Sequence, residues 1–179
     1  FDGIDDYVQL SNSPFNGIQN TFSISTSFRL NTLSSDHCIY GHRGYYNDVQ
    51  LVVYNGNLVL NIFNTANNML SLNTVVDSLQ WIHAVATYDG NTAKLYINGI
   101  LTTSVNQSVG NINWTNSGIH GYWIGGGDPS WNPYSNANID RVAIWNTALS
   151  ANAIQNYMLC PPIGSESGLQ GYWNFEEGV

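Results

Sequence analysis

Charge is scarce in this sequence, and basic charge scarcest of all. Asp, Glu, Lys and Arg make up 9% of its 179 residues, with 4 basic residues against 12 acidic ones. A chain with one lysine, Lys94, and a formal net charge of −8 offers no basic surface for a phosphate backbone or an anionic bilayer. Nucleic acid is therefore not an expected partner. No apolar run approaches the ~20 residues that span a bilayer, so direct membrane insertion is not expected either. Cysteine is limited to Cys38 and Cys160. No Cys-x-x-Cys or Cys/His spacing suggests zinc. The two are either free buried thiols or a disulfide; a bridge closing so long a loop would contribute about 4–5 kcal/mol in an oxidising compartment. Glutamate occurs only at Glu166, Glu176 and Glu177. No signal segment is visible and the first residue is Phe1 rather than Met, as expected of a processed chain or an excised piece.

What is abundant is neutral and polar: 25 Asn, 17 Ser, 11 Thr and 17 Gly. Hydrophobic residues at 43% still suffice for a packed core. Asn and Gly suit turns, because both tolerate left-handed backbone. A surface of amides and hydroxyls suits neutral polar ligands such as sugars. The plainer reading of the same composition is a secreted protein from an Asn-rich proteome.

The hydrophobic period is two almost throughout. In FSISTSFRL, Phe22, Ile24, Thr26, Phe28 and Leu30 share a face, as in a half-buried strand. VQLVVYNGNLVLNIF reads as two strands joined at Asn55-Gly56. WIHAVATYDGNTAKLYINGILTTS reads as three, turning at Asp89-Gly90-Asn91 and Asn98-Gly99. Further strands are expected at Val8–Leu10, His37–Gly41, Leu70–Val76, Tyr122–Gly125 and Ile139–Trp145. Only residues 150–158 show a helical period, with Ser150 as the cap and Pro161-Pro162 as the stop. Ten or more short strands with one short helix predict an all-β sandwich or barrel and exclude a nucleotide-binding α/β fold.

Four segments in order, FDGIDDYVQL, WIHAVATYDGNTAKLYINGIL, ANIDRVAIWNTALSANAIQNYM and GLQGYWNFEEG, resemble the laminin G-like jelly-roll domains of the concanavalin A-like lectin/glucanase superfamily. The resemblance implies an antiparallel jelly-roll β-sandwich over residues 1–162. Residues 163–179 would form a linker and closing strand, opening towards a following unit. It implies a late strand, IDRVAIW, close to the start of the chain, where the family usually has an acidic residue in place of Arg141. It places Trp81, Trp145 and Trp173 in packing positions. It also implies an extracellular or cell-surface protein of bacterial type.

The glucanases of this superfamily place two glutamates and an aspartate on one strand, and retaining hydrolysis needs two carboxyls about 5–5.5 Å apart. No Glu-x-Asp-x-Glu pattern exists here, and no nucleophile elbow surrounds any Ser, so catalysis is not expected. Calcium is expected from Asp2, the carbonyls around Gly3, and Asp140, hard oxygens that the first and last strands would bring together. The alternative is that Asp2 and Asp5 only bond nearby amides in a turn. Carbohydrate is the expected ligand of the stretch NINWTNSGIHGYWIGGGDPSWNPYSN, which interleaves aromatics for stacking on sugar C–H faces with planar amides for hydroxyls. Trp131 and Tyr134 would stack, and Asp128, Asn132 and Asn47 would hydrogen-bond, with Tyr46 alongside. Trp123 follows the strand pattern and is expected in the core, whereas Trp114 falls in a loop. The predicted function is a non-catalytic, carbohydrate-binding module of an adhesin or polysaccharide-acting surface protein. The alternative is a structural or protein-binding unit that contacts adjacent domains or copies of itself.

Overall fold

The computed structural model describes residues 1–10, 20–42, 49–114, 122–126 and 134–176. Within them the strands are β1 (Val8–Leu10), β2 (Phe22–Leu30), β3 (His37–His42), β4 (Val49–Tyr54), β5 (Asn57–Phe63) and β6 (Met69–Val75). They continue as β7 (Ile82–Tyr88), β8 (Thr92–Ile97), β9 (Ile100–Asn106), β10 (Tyr122–Ile124) and β11 (Ala137–Trp145). Helix α1 (Ala151–Leu159) and β12 (Leu169–Trp173) complete the order. Every strand predicted from the period-two pattern is present.

Two turns hold the hairpins in register. Asn55 and Gly56 have φ of 48° and 72°, and Asn98 and Gly99 have 50° and 76°. Both central residues are left-handed, which matches the twist of the strands they join. The strands form two antiparallel sheets, β1-β10-β3-β4-β5-β6 and β12-β11-β2-β7-β8-β9. Hairpins β3–β6 and β7–β9 stay within one sheet, while the chain crosses between sheets after β1, β2, β6, β9 and β10, as in a jelly roll. Alternation turns Phe22, Ile24, Phe28 and Leu30 of β2, and Ile82, Ala84, Ala86 and Tyr88 of β7, into one core. Leu51 and Val53 of β4 and Leu58, Leu60 and Ile62 of β5 meet them from the other sheet. Each such side chain, fully buried, contributes on the order of 1.5–3 kcal/mol.

Helix α1 packs outside the core. Its Ile154 is buried against Val85 and Tyr96 on the outer face of the second sheet. Ser150 caps it by accepting a hydrogen bond from the Ala153 amide. Trp145 is buried beneath it, its ring 4.8 Å from that of Tyr157. β12 pairs with β11 as the edge of the second sheet, and Trp173 packs on the core. The start of the chain lies beside β11: Asp2 bridges Asn136, and the Ala137 amide donates to the Phe1 carbonyl.

The expected disulfide is not formed. Cys38 and Cys160 are both free, the first buried in β3 and the second exposed after α1. β3 belongs to the first sheet, whereas α1 covers the far side of the second. Packed sheets lie about 10 Å apart, beyond the roughly 7 Å between Cα atoms that a disulfide tolerates.

Candidate functional site

Of the predicted sugar-binding residues, Tyr134 is described, while Trp131, Asn132, Asp128, Asn47 and Tyr46 lie outside the described residues. Tyr134 stands at an aromatic rim on the outer side of the first sheet. β10 turns Tyr122 and Ile124 into the core and therefore Trp123 away from it. Trp123 is buried, yet not within the core that its strand pattern predicted. Tyr7 covers it in a stacked arrangement with centroids 4.4 Å apart, and Tyr134 is 6.3 Å from Tyr7. Tyr7 remains 45% exposed. Gly126 lets the three rings approach: a Cβ there would lie 2.7 Å from the Tyr7 Cβ and 2.9 Å from a Tyr134 ring carbon. Trp114, expected in a loop, is in one, and it packs edge-on against Phe22 at the end of the core.

The same outer face carries two buried amides that the sequence reading passed over. Gln50 and Asn61 pair directly across β4 and β5, between core-facing neighbours. Their signal was a polar residue at matching positions of two otherwise apolar strands.

Next to the rim, the first turn gathers acid. Single carboxylate oxygens of Asp2, Asp5 and Asp6 lie within 4.8 Å of one another, all three residues exposed. Two of the side chains also bond the turn: Asp2 Oδ1 accepts from the Ile4 amide, and Asp6 Oδ2 from the Asp2 amide. Gly3 adopts φ +83° against Asn136. Asp140 does not join this cluster as expected. Its Oδ2 instead accepts a 2.6 Å hydrogen bond from Arg141 Nε.

The outer face of the second sheet holds a groove that was not predicted. A β-bulge between Ile139 and Arg141 lets two consecutive residues, Asp140 and Arg141, turn the same way. Beside them His83 Nε2 lies 3.0 Å from Ser25 Oγ, and the His83 amide donates to Asn98 Oδ1. Burial, with Arg141 adding to it, pushes the His83 pKa down to about 4. Trp81, expected in a packing position, is 49% exposed at the mouth of this groove. It immediately precedes β7, in line with the outward His83 and Val85, and α1 covers only the Val85 end of that row.

The Ser25–His83 pair is not an assembled nucleophile. His83 Nδ1 has no hydrogen-bond partner among the described residues, so no third group orients the ring. A base with so low a pKa is also weak at neutral pH.

Among solved structures, a Bacteroides ovatus protein proposed to bind carbohydrate superposes with a TM-score of 0.73 at 17% identity, covering 94% of this chain and 48% of that one. The binding domain of botulinum neurotoxin DC, solved in complex with rat synaptotagmin II, gives 0.65 at 18%, covering 86% and 39%. A structure of botulinum neurotoxin type C, whose cell entry depends on two ganglioside molecules, gives 0.62 at 14%, covering 86% and 39%. The chain thus spans half or less of the length of these structures, and the likeness is one of fold. No curated protein sequence matches it. Residues 2–155 match the laminin G-like family described as the Concanavalin A-like lectin/glucanases superfamily, and with two antiparallel sheets packed as a jelly roll the chain belongs to that family.

Proposed function

We propose that this chain is a non-catalytic, extracellular carbohydrate-binding module within a larger adhesin or polysaccharide-acting surface protein. The observation that carries the reading is the rim of Tyr7, Trp123 and Tyr134, in which a half-exposed tyrosine stacks on a buried tryptophan. Sugars present apolar C–H faces to such rings and hydroxyls to neighbouring amides. The loop residues Trp131, Asn132 and Asp128, and Tyr46 with Asn47, would complete the site. The ganglioside and carbohydrate relationships of the structural neighbours support it. The non-catalytic reading is supported by the lectin-type family and neighbours and by the lack of any Glu-x-Asp-x-Glu pattern in the sequence.

Calcium belongs to the same proposal, held by Asp2, Asp5 and Asp6 rather than by Asp2 and Asp140. Three exposed carboxylates with neighbouring carbonyls, such as that of Gly3, match the hard oxygen donors that this ion takes. Bound there, it would tie the first turn to the base of the rim.

The test is a glycan array with the purified protein, in calcium and in EDTA, alongside Tyr134→Ala and Trp131→Ala. A defined glycan signal lost in both variants is the expected result. A blank array in both conditions sinks the carbohydrate reading and favours an assembly or spacer unit, to be sought by self-association.

A further inference from the structure

The chain has only four basic residues, and one of them is spent in the groove on the outer face of the second sheet. Arg141 stands there beside Asp140 because of the bulge in β11, and the side chains are 32% and 31% exposed. Two clefts meet at Trp81. One, of about 410 Å³, runs past Ser27, Asn98 and Arg141. The other, of about 360 Å³, runs past Asn138 and Phe175. Both fall within the roughly 300–1,000 Å³ of small-molecule sites.

We infer that this groove is a second saccharide site, on the face opposite the rim, which stacks a neutral pyranose on Trp81 and bonds its neighbouring hydroxyls through Asp140 and Arg141. The chemistry selects that ligand class. Trp81, 49% exposed, supplies an aromatic surface where the two clefts meet, beside the polar Asp140, Arg141, Asn98 and Asn138. The ion pair cancels its own charge, so the groove favours neither an anion nor a cation. It still leaves the terminal nitrogens of Arg141 to donate and the second oxygen of Asp140 to accept. Two adjacent planar groups, one donating and one accepting, match two adjacent hydroxyls of a sugar ring. Charge-assisted hydrogen bonds of this kind are the stronger class. Asn98, whose Oδ1 is held by the His83 amide, and the exposed Asn138 flank the pair with amides. His83 stays neutral beneath them, which keeps a second positive charge away from Arg141. The inference goes beyond the rim reading and makes the module two-sided.

The experiment is a titration of the whole chain with neutral hexasaccharides of glucan, xylan, mannan and galactan type, and with an acidic oligogalacturonate. It is followed by the NMR signal of the Trp81 indole N–H. A neutral oligosaccharide is expected to shift that signal. Trp81→Ala and Arg141→Gln are each expected to weaken its binding by about tenfold, or roughly 1.4 kcal/mol. Tyr134→Ala should leave this binding unchanged. Trp81 is half-exposed, so its variant should melt with the native protein, and a melt of each variant checks this. A Trp81 signal unmoved by every neutral sugar, moved by the acidic one alone, or binding unchanged in both groove variants, overturns the inference. Binding lost in Tyr134→Ala but kept in Trp81→Ala overturns it while leaving the rim standing; the reverse pattern is the expected one, and the glycan array on Tyr134→Ala tests the rim separately.

Discussion

His83 faces Ser27 in the register of β2 and β7, yet its Nε2 reaches Ser25 Oγ two residues along, at 3.0 Å. The diagonal contact holds a neutral imidazole in a buried place. Its pKa falls from 6.5 to about 4 because burial penalises the charged ring, with Arg141 adding repulsion. The unfolded chain takes up a proton below pH 6.5 and the folded one only below about 4. Between those values the unfolded state binds more protons, so stability falls as pH falls. His37, also lowered by burial, acts in the same direction. Denaturant melts at pH 7 and pH 4 should differ by roughly 3 kcal/mol on account of His83. His83→Gln should flatten the dependence; an equally steep slope in the variant would show that this histidine is not its source.

The two cysteines should differ sharply in reactivity. Cys160 is exposed, whereas Cys38 is buried and its thiol is pushed up to about 12 by that burial. The thiolate is the reacting form. A disulfide-exchange reagent should therefore label one thiol quickly in the native protein, and a second only on unfolding. No free thiol in the unfolded, unreduced protein would restore the bridge that the sheets keep apart.

Gly126→Ala should disturb the rim from below. Its added methyl would meet Tyr7, Tyr134 and the Asp6 carbonyl at 2.7, 2.9 and 3.1 Å. Overpacking of this kind costs about 1–3 kcal/mol. The variant should melt earlier and bind glycans at the rim more weakly. Unaltered binding would mean that the spacing of these rings does not matter to the ligand.

Calcium should raise the melting temperature and EDTA should lower it again. At a hundredfold excess over Kd, one bound ion adds about 2.7 kcal/mol. Asp5→Asn combined with Asp6→Asn should remove the response, whereas Asp140→Asn should keep it, because Asp140 is held by Arg141. A response lost in Asp140→Asn would return the ion to the place predicted from the sequence.

Much of the fold was legible because its signals are local. Phe22 to Leu30 alternate within one strand, and Asn55-Gly56 and Asn98-Gly99 carry the backbone freedom of their own turns. The tryptophans were harder to place. Trp81, Trp123 and Trp145 all face away from the core, and their exposure depends on what covers them. Tyr7 covers Trp123 and α1 covers Trp145, while Trp81 lies beyond the reach of a helix of nine residues.

By itself, then, the sequence determined the two-faced strands, the turns, the helix cap and a surface of amides with little charge, since each of these is written in neighbouring residues. Tertiary structure alone decided where chemistry could gather. It seated Asp5 and Asp6 with Asp2, parted Cys38 from Cys160 by the thickness of the sandwich, and turned Asp140 and Arg141 together into one groove. Those outcomes rest on pairings between distant strands and on one bulge, whose geometry no short stretch of residues specifies.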